Sequence, residues 1–292
     1  VKMTGPHTAM DIGMYHDRED PRFPRQPGKV TDRQSMRKLI DGYDTGVRYV
    51  DDQIAKMLNW LKQAGVHDDT AIIISADHGE NFGELGIYAE HGTADQGTCR
   101  IPLVVKWPGM ATGKVVNGLA YNIDLAPTLM DLLGGKKPAI WDGQSFAESI
   151  RRGVETTRDE LVISQCAHVC QRSVRFGDWL WMRTWHDGFH LWPDEMLFNL
   201  ADDPHQQHDL APSRRDLCDR AAHLYHDWHE RMMGSMPDGA TVDPLQTVLA
   251  EGGPLHARRG ALKRTNYLEH LERTGRGWAI AELKKRHPAE FA

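Results

Sequence analysis

Residues 71–109 read AIIISADHGENFGELGIYAEHGTADQGTCRIPLVVKWPG. An apolar run ends at Ser75 and is followed by Asp77-His78-Gly79, and a second His-Gly pair, His91-Gly92, precedes another apolar run, Ile101 to Val105. Short, continuous apolar runs are typical of strands buried on both faces of an α/β sheet. Because ligands of such sheets collect beyond the carboxyl ends of the strands, the stretch predicts a binding site after the first strand.

The residue types in this loop favour a divalent metal. Asp77 offers a hard anionic oxygen and His78 a neutral nitrogen, and together they suit a divalent cation. Gly79 allows the backbone to turn tightly. Glu80 and Glu90 are predicted to be supporting or surface carboxylates. The alternative is that Asp77 caps the next segment and His78 is a surface residue, but the strand, the glycine and the second His-Gly pair favour a site.

The elements around this stretch predict an α/β layered domain. Thr31-x-x-Gln34 has the pattern of a capping box, and apolar residues at steps of three and four then predict one long helix that ends at Gly65. Gly42 and Gly46 inside it indicate close packing on a sheet. Asp124 is predicted to cap a further helix that stops at Gly134. Helix, strand, loop, strand and helix in this order indicate α/β layering, whereas residues 1–30 are predicted to be irregular.

The second half of the chain has a different pattern. Short runs, LVIS, SVRF, WLWMRT and MLFNL, are separated by turn residues and predict a small antiparallel sheet. A His-rich helical segment and a polar tail are predicted after Pro212. We therefore predict two domains, an α/β portion over residues 1–157 and a small α+β subdomain with a polar helical tail over residues 158–292.

Composition excludes several classes of protein. The chain has 292 residues, of which 40% are hydrophobic and 26% charged, as in ordinary globular proteins. A formal net charge of −6 argues against a nucleic-acid partner, and four cysteines are too few for a disulfide scaffold. No apolar stretch reaches eighteen residues and the N-terminus is polar, so neither a membrane span nor a signal peptide is predicted. Export to the periplasm or beyond would need a signal upstream.

Several motifs, taken jointly and in order, resemble those of the sulfatase family of the alkaline phosphatase superfamily. The similarity covers residues 36–212. The matching segments are Ser75-Ala76-Asp77-His78-Gly79-Glu80, Arg100-Ile101-Pro102-Leu103-Val104, Trp107-Pro108-Gly109, Asp124-Leu125-Ala126-Pro127-Thr128, Asp142-Gly143-Gln144-Ser145, and Phe198-Asn199-Leu200 through Asp203-Pro204. The resemblance implies an alkaline-phosphatase-like layered sheet, present in part, followed by a small antiparallel-sheet subdomain.

The resemblance also implies roles for individual residues. Asp77 and His78 would be calcium ligands, and His91 would contact the sulfate or the leaving oxygen. A histidine near a metal can donate a hydrogen bond to developing negative charge or pass a proton to the leaving group, although His91 as an ordinary loop histidine is the alternative. The family's lysine is missing from residues 93–99, and Arg100 or Lys106 would supply its charge to the substrate. The expected substrate is a sulfated small molecule or carbohydrate.

The sequence departs from the family at the nucleophile. Sulfatases use Cys/Ser-x-Pro-x-Arg, whose first side chain is oxidised to formylglycine, and Cys99, Cys166, Cys170 and Cys218 all lack this context. The paired aspartates of the family's first strand are absent as well. We therefore predict the C-terminal part of a sulfatase, inactive alone, with formylglycine expected only in a missing N-terminal part.

Two other functions remain as alternatives. A phosphodiesterase or phosphatase of the same superfamily would use two zinc or manganese ions and a Thr or Ser nucleophile, and the chain would otherwise be a non-catalytic remnant or a binding subunit. Two further clusters are predicted not to bind metal. Cys166 and Cys170, with His168 between them, are interpreted as two buried thiols, and His223, His226 and His229 as a solvated helix face.

Overall fold

The computed structural model describes residues 30–110, 113–156, 158–237 and 241–292. Apart from Val30, the segment predicted to be irregular lies outside the described residues. The helices are α1 (Arg33–Gln63), α2 (Gln96–Cys99), α3 (Leu125–Leu132), α4 (Ala147–Arg152), α5 (Arg215–Gly234), α6 (Pro244–Ala250), α7 (Ala261–Arg264), α8 (Tyr267–Arg273) and α9 (Trp278–Arg286). The strands are β1 (Ile72–Ser75), β2 (Asn81–Phe82), β3 (Tyr88–Glu90), β4 (Leu103–Lys106), β5 (Glu160–Gln165), β6 (Cys170–Phe176), β7 (Trp179–His186) and β8 (Glu195–Asn199).

Helix α1 confirms the long helix predicted from the apolar periodicity. Its cap is Asp32, whose Oδ1 accepts a hydrogen bond from Ser35 N at 2.7 Å, and the predicted Thr31 capping box is therefore wrong by one residue. The prediction that Gly42 and Gly46 allow close packing is also wrong. A Cβ added at either glycine would meet no atom within 4 Å.

Strands β1 and β4 occupy the two apolar runs of the opening stretch. They pair antiparallel, with Ile72 opposite Lys106 and Ser75 opposite Leu103. The prediction that both strands are buried on both faces is wrong, because Leu103 is 43% and Val104 59% exposed. Within the described residues these two strands form a sheet of their own, so no further strand covers their edges.

Asp124 does not cap α3 through its side chain, and that prediction is wrong. Its buried carboxylate instead accepts hydrogen bonds from Arg158 Nε at 2.9 Å, from Gln144 N at 2.7 Å and from Tyr121 N at 2.8 Å. A carboxylate and a guanidinium paired in this way are both held by several bonds. Asp124 therefore joins the 121–124 turn to residues 144 and 158.

The predicted antiparallel sheet in the second half of the chain is confirmed. The strand order is β5-β6-β7-β8, and β7 pairs antiparallel with both β6 and β8. Both faces are covered. One face packs on the loop before α2, through Leu180, Met182, Met196, Phe198, Leu85 and Ile87. The other face packs on α5, through Val174, Trp181, Leu197, Cys218 and Ala221.

The segment predicted to be a polar tail has a core of its own. Its helices are amphipathic, and Tyr267, Leu271 and Leu283 are fully buried. The prediction of a helical tail is confirmed, and its helices bury an apolar core that the sequence analysis did not predict. The charged positions between the apolar ones concealed the periodicity of the buried face.

The chain divides into two compact units. Of the described residues, one unit contains those in 30–46, 78–100 and 162–292, and the other contains those in 47–77 and 101–161. The division falls between Asp77 and His78. The loop at residues 78–100 therefore belongs with the C-terminal sheet. No helix among the described residues is long and apolar enough to cross a membrane.

Candidate functional site

The segment at residues 78–100, which we call the site loop, is held by a buried polar network. Asp95 caps α2, accepting hydrogen bonds from Gly97 N at 3.2 Å and Thr98 N at 3.3 Å. Asn81 Nδ2 donates to the hydroxyls of Thr93 at 3.2 Å and Thr98 at 3.3 Å. Burial raises the pKa of Asp95, against the effect of these hydrogen bonds. A buried polar network of this kind favours one loop conformation, although Oδ1 of Asn81 has no hydrogen-bond partner among the described residues.

The site loop is also anchored to the C-terminal sheet. Its apolar residues Leu85, Ile87 and Ala94 are buried in the same cluster as side chains of β7 and β8. Hydrogen bonds to the C-terminal part include Trp192 Nε1 to Leu85 O at 3.1 Å, Ala94 N to Gln171 Oε1 at 3.2 Å, and Gln96 N to Gln206 Oε1 at 2.9 Å. The position of the site loop is therefore fixed by its contacts with the C-terminal sheet and the residues that follow it.

His78, Glu80 and His91 form the central cluster of the site loop. Their candidate ligand atoms all lie within 4.8 Å of one another. The rings of His78 and His91 stack with centroids 3.6 Å apart and planes 16° from parallel. Nδ1 of His78 lies 2.8 Å from the carbonyl of Gly79, so as a donor to that carbonyl it leaves Nε2 for other partners. The structure thus brings together two of the predicted site residues.

Glu80 supports His91 rather than lying on the surface. Its side chain is 16% exposed, and its Oε2 lies 3.3 Å from Nδ1 of His91. Burial raises the pKa of Glu80, and the nearby His91 opposes that effect. Oε1 is enclosed and has no hydrogen-bond partner among the described residues. A buried carboxylate oxygen beside two imidazoles is a donor set that suits a divalent cation.

In both His-Gly pairs, Gly79 and Gly92 lie where another part of the chain comes too close for any side chain. A Cβ on Gly79 would lie 2.0 Å from the carbonyl oxygen of Gly97, and Gly79 N donates to Thr98 O at 2.7 Å. A Cβ on Gly92 would lie 2.6 Å from the Cβ of His168. Neither glycine has a positive φ. Each glycine therefore makes room for a neighbour that shapes the site.

Asp77 directly precedes the site loop, and Arg100 is its last residue. Asp77 is exposed and follows β1 after one residue. Arg100 is exposed directly after α2. Burial lowers the pKa of Arg175, and the positive charge of Arg100 adds to the effect, which indicates that two cations lie near each other on that side.

Lys106 is engaged by the backbone. Its Nζ donates to the carbonyls of His67 at 2.7 Å, Thr70 at 3.1 Å and Asp68 at 3.3 Å. An ammonium group has three N–H donors, and these carbonyls account for all three. Lys106 thereby ties β4 to the turn that precedes β1.

Sequence reasoning missed two residues near the cluster, His168 and His256. The ring of His168 lies 6.4 Å from that of His91, edge to face, and the ring of His256 stacks on His168 at 4.0 Å. The sequence showed His168 only as a residue between two cysteines. The available signal was Gly92, since a glycine after a candidate catalytic residue indicates close approach by another part of the chain.

Two other clusters, Cys166 with Cys170 and the three histidines of α5, were predicted not to bind metal. Neither is among the groups of described residues whose geometry could hold a metal ion. Cys170 is buried and Cys166 partly buried, and a hydrogen bond with Cys170 lowers the pKa of Cys166 to about 7. On α5, His229 Nε2 lies 3.1 Å from Asp243 Oδ2, and Nδ1 of His223 lies 2.8 Å from a backbone carbonyl of its own helix.

A second metal-compatible group, His186, Asp187 and His287, fits a structural role. Oδ1 of Asp187 lies 2.8 Å from His287 Nε2, and Oδ2 accepts from Arg286 at 2.9 Å. Burial raises the pKa of Asp187, but these two partners outweigh it, so the pKa lies below its ordinary value. The guanidinium already supplies the positive charge that a metal would bring.

Family models match this chain in two overlapping segments. The Sulfatase model matches residues 5–135. The model described as N-sulphoglucosamine sulphohydrolase, C-terminal, matches residues 83–217 and thus includes most of the site loop and the four-stranded sheet. Together the two models cover residues 5–217, and over that stretch the chain is similar to sulfatases. The predicted family and the α/β fold class are confirmed.

Sulfatases with curated names align over part of their length. Choline-sulfatase of Rhizobium meliloti (strain 1021) is 29% identical over 228 residues, which cover 74% of this chain and 43% of that protein. The N-acetylglucosamine-6-O-sulfatase of Bacteroides thetaiotaomicron is 28% identical over 134 residues, covering 45% of this chain and 24% of that protein. The chain spans less than half the length of these relatives.

Solved structures show the same fold. A protein in complex with its substrate D-glucosamine-2-N,6-O-disulfate has a TM-score of 0.63 at 19% identity, covering 73% of this chain and 45% of that one. The phosphonate monoester hydrolase of Silicibacter pomeroyi has a TM-score of 0.61 at 22% identity, covering 74% of this chain and 44% of that one.

Proposed function

We propose that this chain is the C-terminal part of a sulfuric ester hydrolase. The observation that carries the proposal is the buried Glu80 carboxylate against His91, in a site loop that a sulfatase family model matches. The substrate is a sulfated small molecule or carbohydrate, in keeping with the names of the relatives. Residues 1–157 belong in this proposal to the catalytic α/β domain, and residues 158–292 to a C-terminal subdomain.

His91 is the proposed catalytic residue. An ionised Glu80 accepts a hydrogen bond from Nδ1 of His91, which holds the ring and leaves Nε2 for the substrate. Nε2 then donates to the oxygen that leaves with the alcohol, where negative charge develops as its bond to sulfur breaks. The sulfur would form its new bond to the formylglycine nucleophile that the family resemblance implies. Arg100 contributes positive charge toward the sulfate. Lys106 is not proposed to bind the sulfate, because its ammonium group donates to three backbone carbonyls.

Asp77 and His78 are the proposed metal ligands. When bound, a divalent cation would draw negative charge from the sulfate oxygens. The enclosed Oε1 of Glu80 adds one further oxygen near His78. Calcium is the ion that the family resemblance implies. Because calcium takes six to eight mainly oxygen ligands, it requires more oxygens than these residues supply.

The two-metal phosphoesterase alternative has one supporting observation. Two imidazoles and one carboxylate form a set that also suits zinc or manganese. The likeness to a phosphonate monoester hydrolase, at 22% identity, shows the fold alone. The sulfatase therefore remains the preferred function.

The test is an assay of the natural protein that contains these residues, with p-nitrophenyl sulfate and p-nitrophenyl phosphate and a metal analysis. We expect the sulfate to be the better substrate and His91→Ala to lower kcat by about 10²–10⁴-fold. His223→Ala, on the surface of α5, is the control and should retain full activity. Preference for the phosphate with two bound zinc or manganese ions would establish the alternative function.

A further inference from the structure

Two cysteines lie at the ends of the short connection between β5 and β6. Strand β5 ends at Gln165 and β6 begins at Cys170, so Cys166 directly follows one strand and Cys170 opens the next. Both cysteines are free, and the thiol of Cys170 donates a hydrogen bond to the sulfur of Cys166. The turn therefore holds two reduced sulfur atoms side by side, as the formation of a disulfide requires.

The two thiols differ in exposure and in acidity. Cys170 is 0% exposed, whereas Cys166 is partly exposed. The hydrogen bond from Cys170 lowers the pKa of Cys166 to about 7; burial opposes that effect and the positive charge of Arg172 adds to it. The same hydrogen bond, together with burial, raises the pKa of Cys170. An accessible thiolate beside a buried thiol suits an attacking cysteine and its resolving partner.

The other two cysteines of the chain have a different environment. Burial raises the pKa of Cys99 to about 12 and that of Cys218 to about 11. Their thiols lie near backbone carbonyls, Cys99 Sγ 3.4 Å from Thr93 O and Cys218 Sγ 3.9 Å from Ala211 O. Both are protonated near pH 7, so they provide an internal comparison for the reactivity of Cys166.

The connection between the two cysteines also contacts the site loop. A Cβ on Gly92 would lie 2.6 Å from the Cβ of His168, which lies in this connection. The carbonyl of Ala167, one residue earlier, accepts a hydrogen bond from His256 N at 3.0 Å. The two cysteines therefore lie at the ends of a segment that packs against the residue following His91.

We propose that Cys166 and Cys170 form a redox-active dithiol that closes reversibly to a disulfide by exchange with a small-molecule disulfide such as oxidised glutathione. The Cys166 thiolate attacks one sulfur of that disulfide, its S–S bond breaks, and the first small thiolate leaves and takes a proton from solvent. Cys170 then loses its proton to solvent and attacks the Cys166 sulfur, which releases the second small thiol. Two protein thiols are oxidised by two electrons, and one small disulfide is reduced to two thiols.

The acidity of Cys170 fits the second step. Its pKa is raised chiefly by the hydrogen bond with Cys166. Once Cys166 is part of the mixed disulfide, it carries no thiolate charge and that hydrogen bond is weakened. Attack by Cys170 therefore becomes easier only after the first step has taken place.

The experiment uses the natural full-length protein and peptide mass spectrometry. Trypsin cleaves after Arg158 and Arg172, so residues 159–172 form one peptide that contains Cys166, Cys170 and no other cysteine. After incubation with oxidised glutathione at pH 7, we expect this peptide to be two hydrogens lighter, and dithiothreitol should restore its mass. In the reduced protein, iodoacetamide should label Cys166 at least about tenfold faster than Cys99, because a pKa near 7 leaves about half of a thiol ionised.

Matched variants separate the two steps. Cys170→Ser should stop the exchange after the first step, leaving one glutathione on Cys166, whereas Cys99→Ser should close as the wild-type protein does. A stable glutathione adduct on Cys166 in the wild-type protein, an unmodified peptide, or closure only in urea would each overturn the proposal. The peptide mass does not depend on sulfate-ester hydrolysis, so failure of the proposed function would leave this result unchanged.

Discussion

The four-stranded C-terminal sheet and the β1–β4 pair differ in how completely they are buried. In the sheet, Met182, Leu197 and Phe198 are fully enclosed, because one face packs on the site loop and the other on α5. In the pair, Leu103 and Val104 are exposed on β4. Within the described residues, the sheet therefore has a core on both faces, whereas the pair does not.

This difference shows which part of the molecule holds the candidate site. Strand β1 delivers the chain to Asp77, but the site loop packs its apolar residues against β7 and β8. The His91 side of the site should therefore depend on the C-terminal sheet, and changes to β4 should affect it little. The predictions below test that contrast, from the largest expected effect to the smallest.

The buried ion pair of Arg172 and Asp243 should give the largest effect. Both side chains are 6% exposed, and the Arg172 guanidinium also contacts the hydroxyl of Tyr225 at 3.0 Å. Removing one partner leaves a buried charge, so Arg172→Met should lower the free energy of unfolding by about 3–5 kcal/mol in urea. Arg172→Met combined with Asp243→Asn should recover part of the loss. A single-variant loss below about 1 kcal/mol would contradict a buried pair.

Ile87 and Val104 provide a matched comparison of the two regions. Ile87 is 4% exposed in the site loop, and Val104 is 59% exposed in β4. Ile87→Ala should destabilise the protein by about 2–5 kcal/mol. Val104→Ala should change stability by less than about 0.5 kcal/mol. Urea unfolding of both variants measures the contrast, and equal losses would show that the two regions are not buried differently.

Stability should depend on pH through His186 in β7. Burial lowers the pKa of His186 to about 4, with His287 adding to the effect. A folded pKa below the unfolded value of about 6.5 means that the unfolded chain binds the proton first, so stability falls as pH drops from about 6.5 toward 4. The loss should be on the order of 3 kcal/mol.

His186→Asn tests this origin of the pH dependence. In the wild-type protein, Nδ1 of His186 accepts a hydrogen bond from Gly188 N at 3.1 Å. Asparagine retains an acceptor for this bond, but it cannot take up a proton between pH 4 and pH 6.5. The decline in melting temperature between pH 6.5 and pH 4 should become shallower in this variant. An unchanged slope would assign the decline to other groups.

Two glycines should respond in opposite directions to alanine. The added Cβ in Gly92→Ala would collide with the Cβ of His168, so this variant should lower the free energy of unfolding by about 1–3 kcal/mol. Gly46→Ala, in α1 with open space around it, should stabilise by up to about 1 kcal/mol through helix propensity. Thermal melts of the two variants distinguish them. Stabilisation by Gly92→Ala would contradict the packing of His168 on the site loop.

Much of the fold could be predicted from local patterns. The steps of three and four along α1, the two Ile- and Val-rich runs and the short runs between turn residues in β5 to β8 are local signals, and the corresponding elements are present. Burial of β1 and β4 could not be predicted correctly, because it depends on which other strands lie beside them. Charged positions between the apolar residues likewise concealed the buried face of the C-terminal helices.

The candidate site was predictable only for residues close together in sequence. His78 and His91 are thirteen positions apart in one loop, and the structure brings their rings together. For Glu80 the sequence left two alternatives, a supporting carboxylate or a surface carboxylate, and the contact with His91 favours the first. His168 and His256 lie near the site through tertiary packing, and the sequence carries only an indirect sign of this, the glycine at position 92.

Activity of the isolated chain tests most directly whether the site is completed from outside these residues. The measurement is hydrolysis of p-nitrophenyl sulfate by residues 1–292 alone in the presence of calcium. We expect no turnover above the buffer rate and weak calcium binding, because the described residues around His78 include neither an activated nucleophile nor the six to eight mainly oxygen ligands that calcium takes. Robust turnover that survives substitution of the serines and cysteines but disappears in His78→Ala would contradict the account.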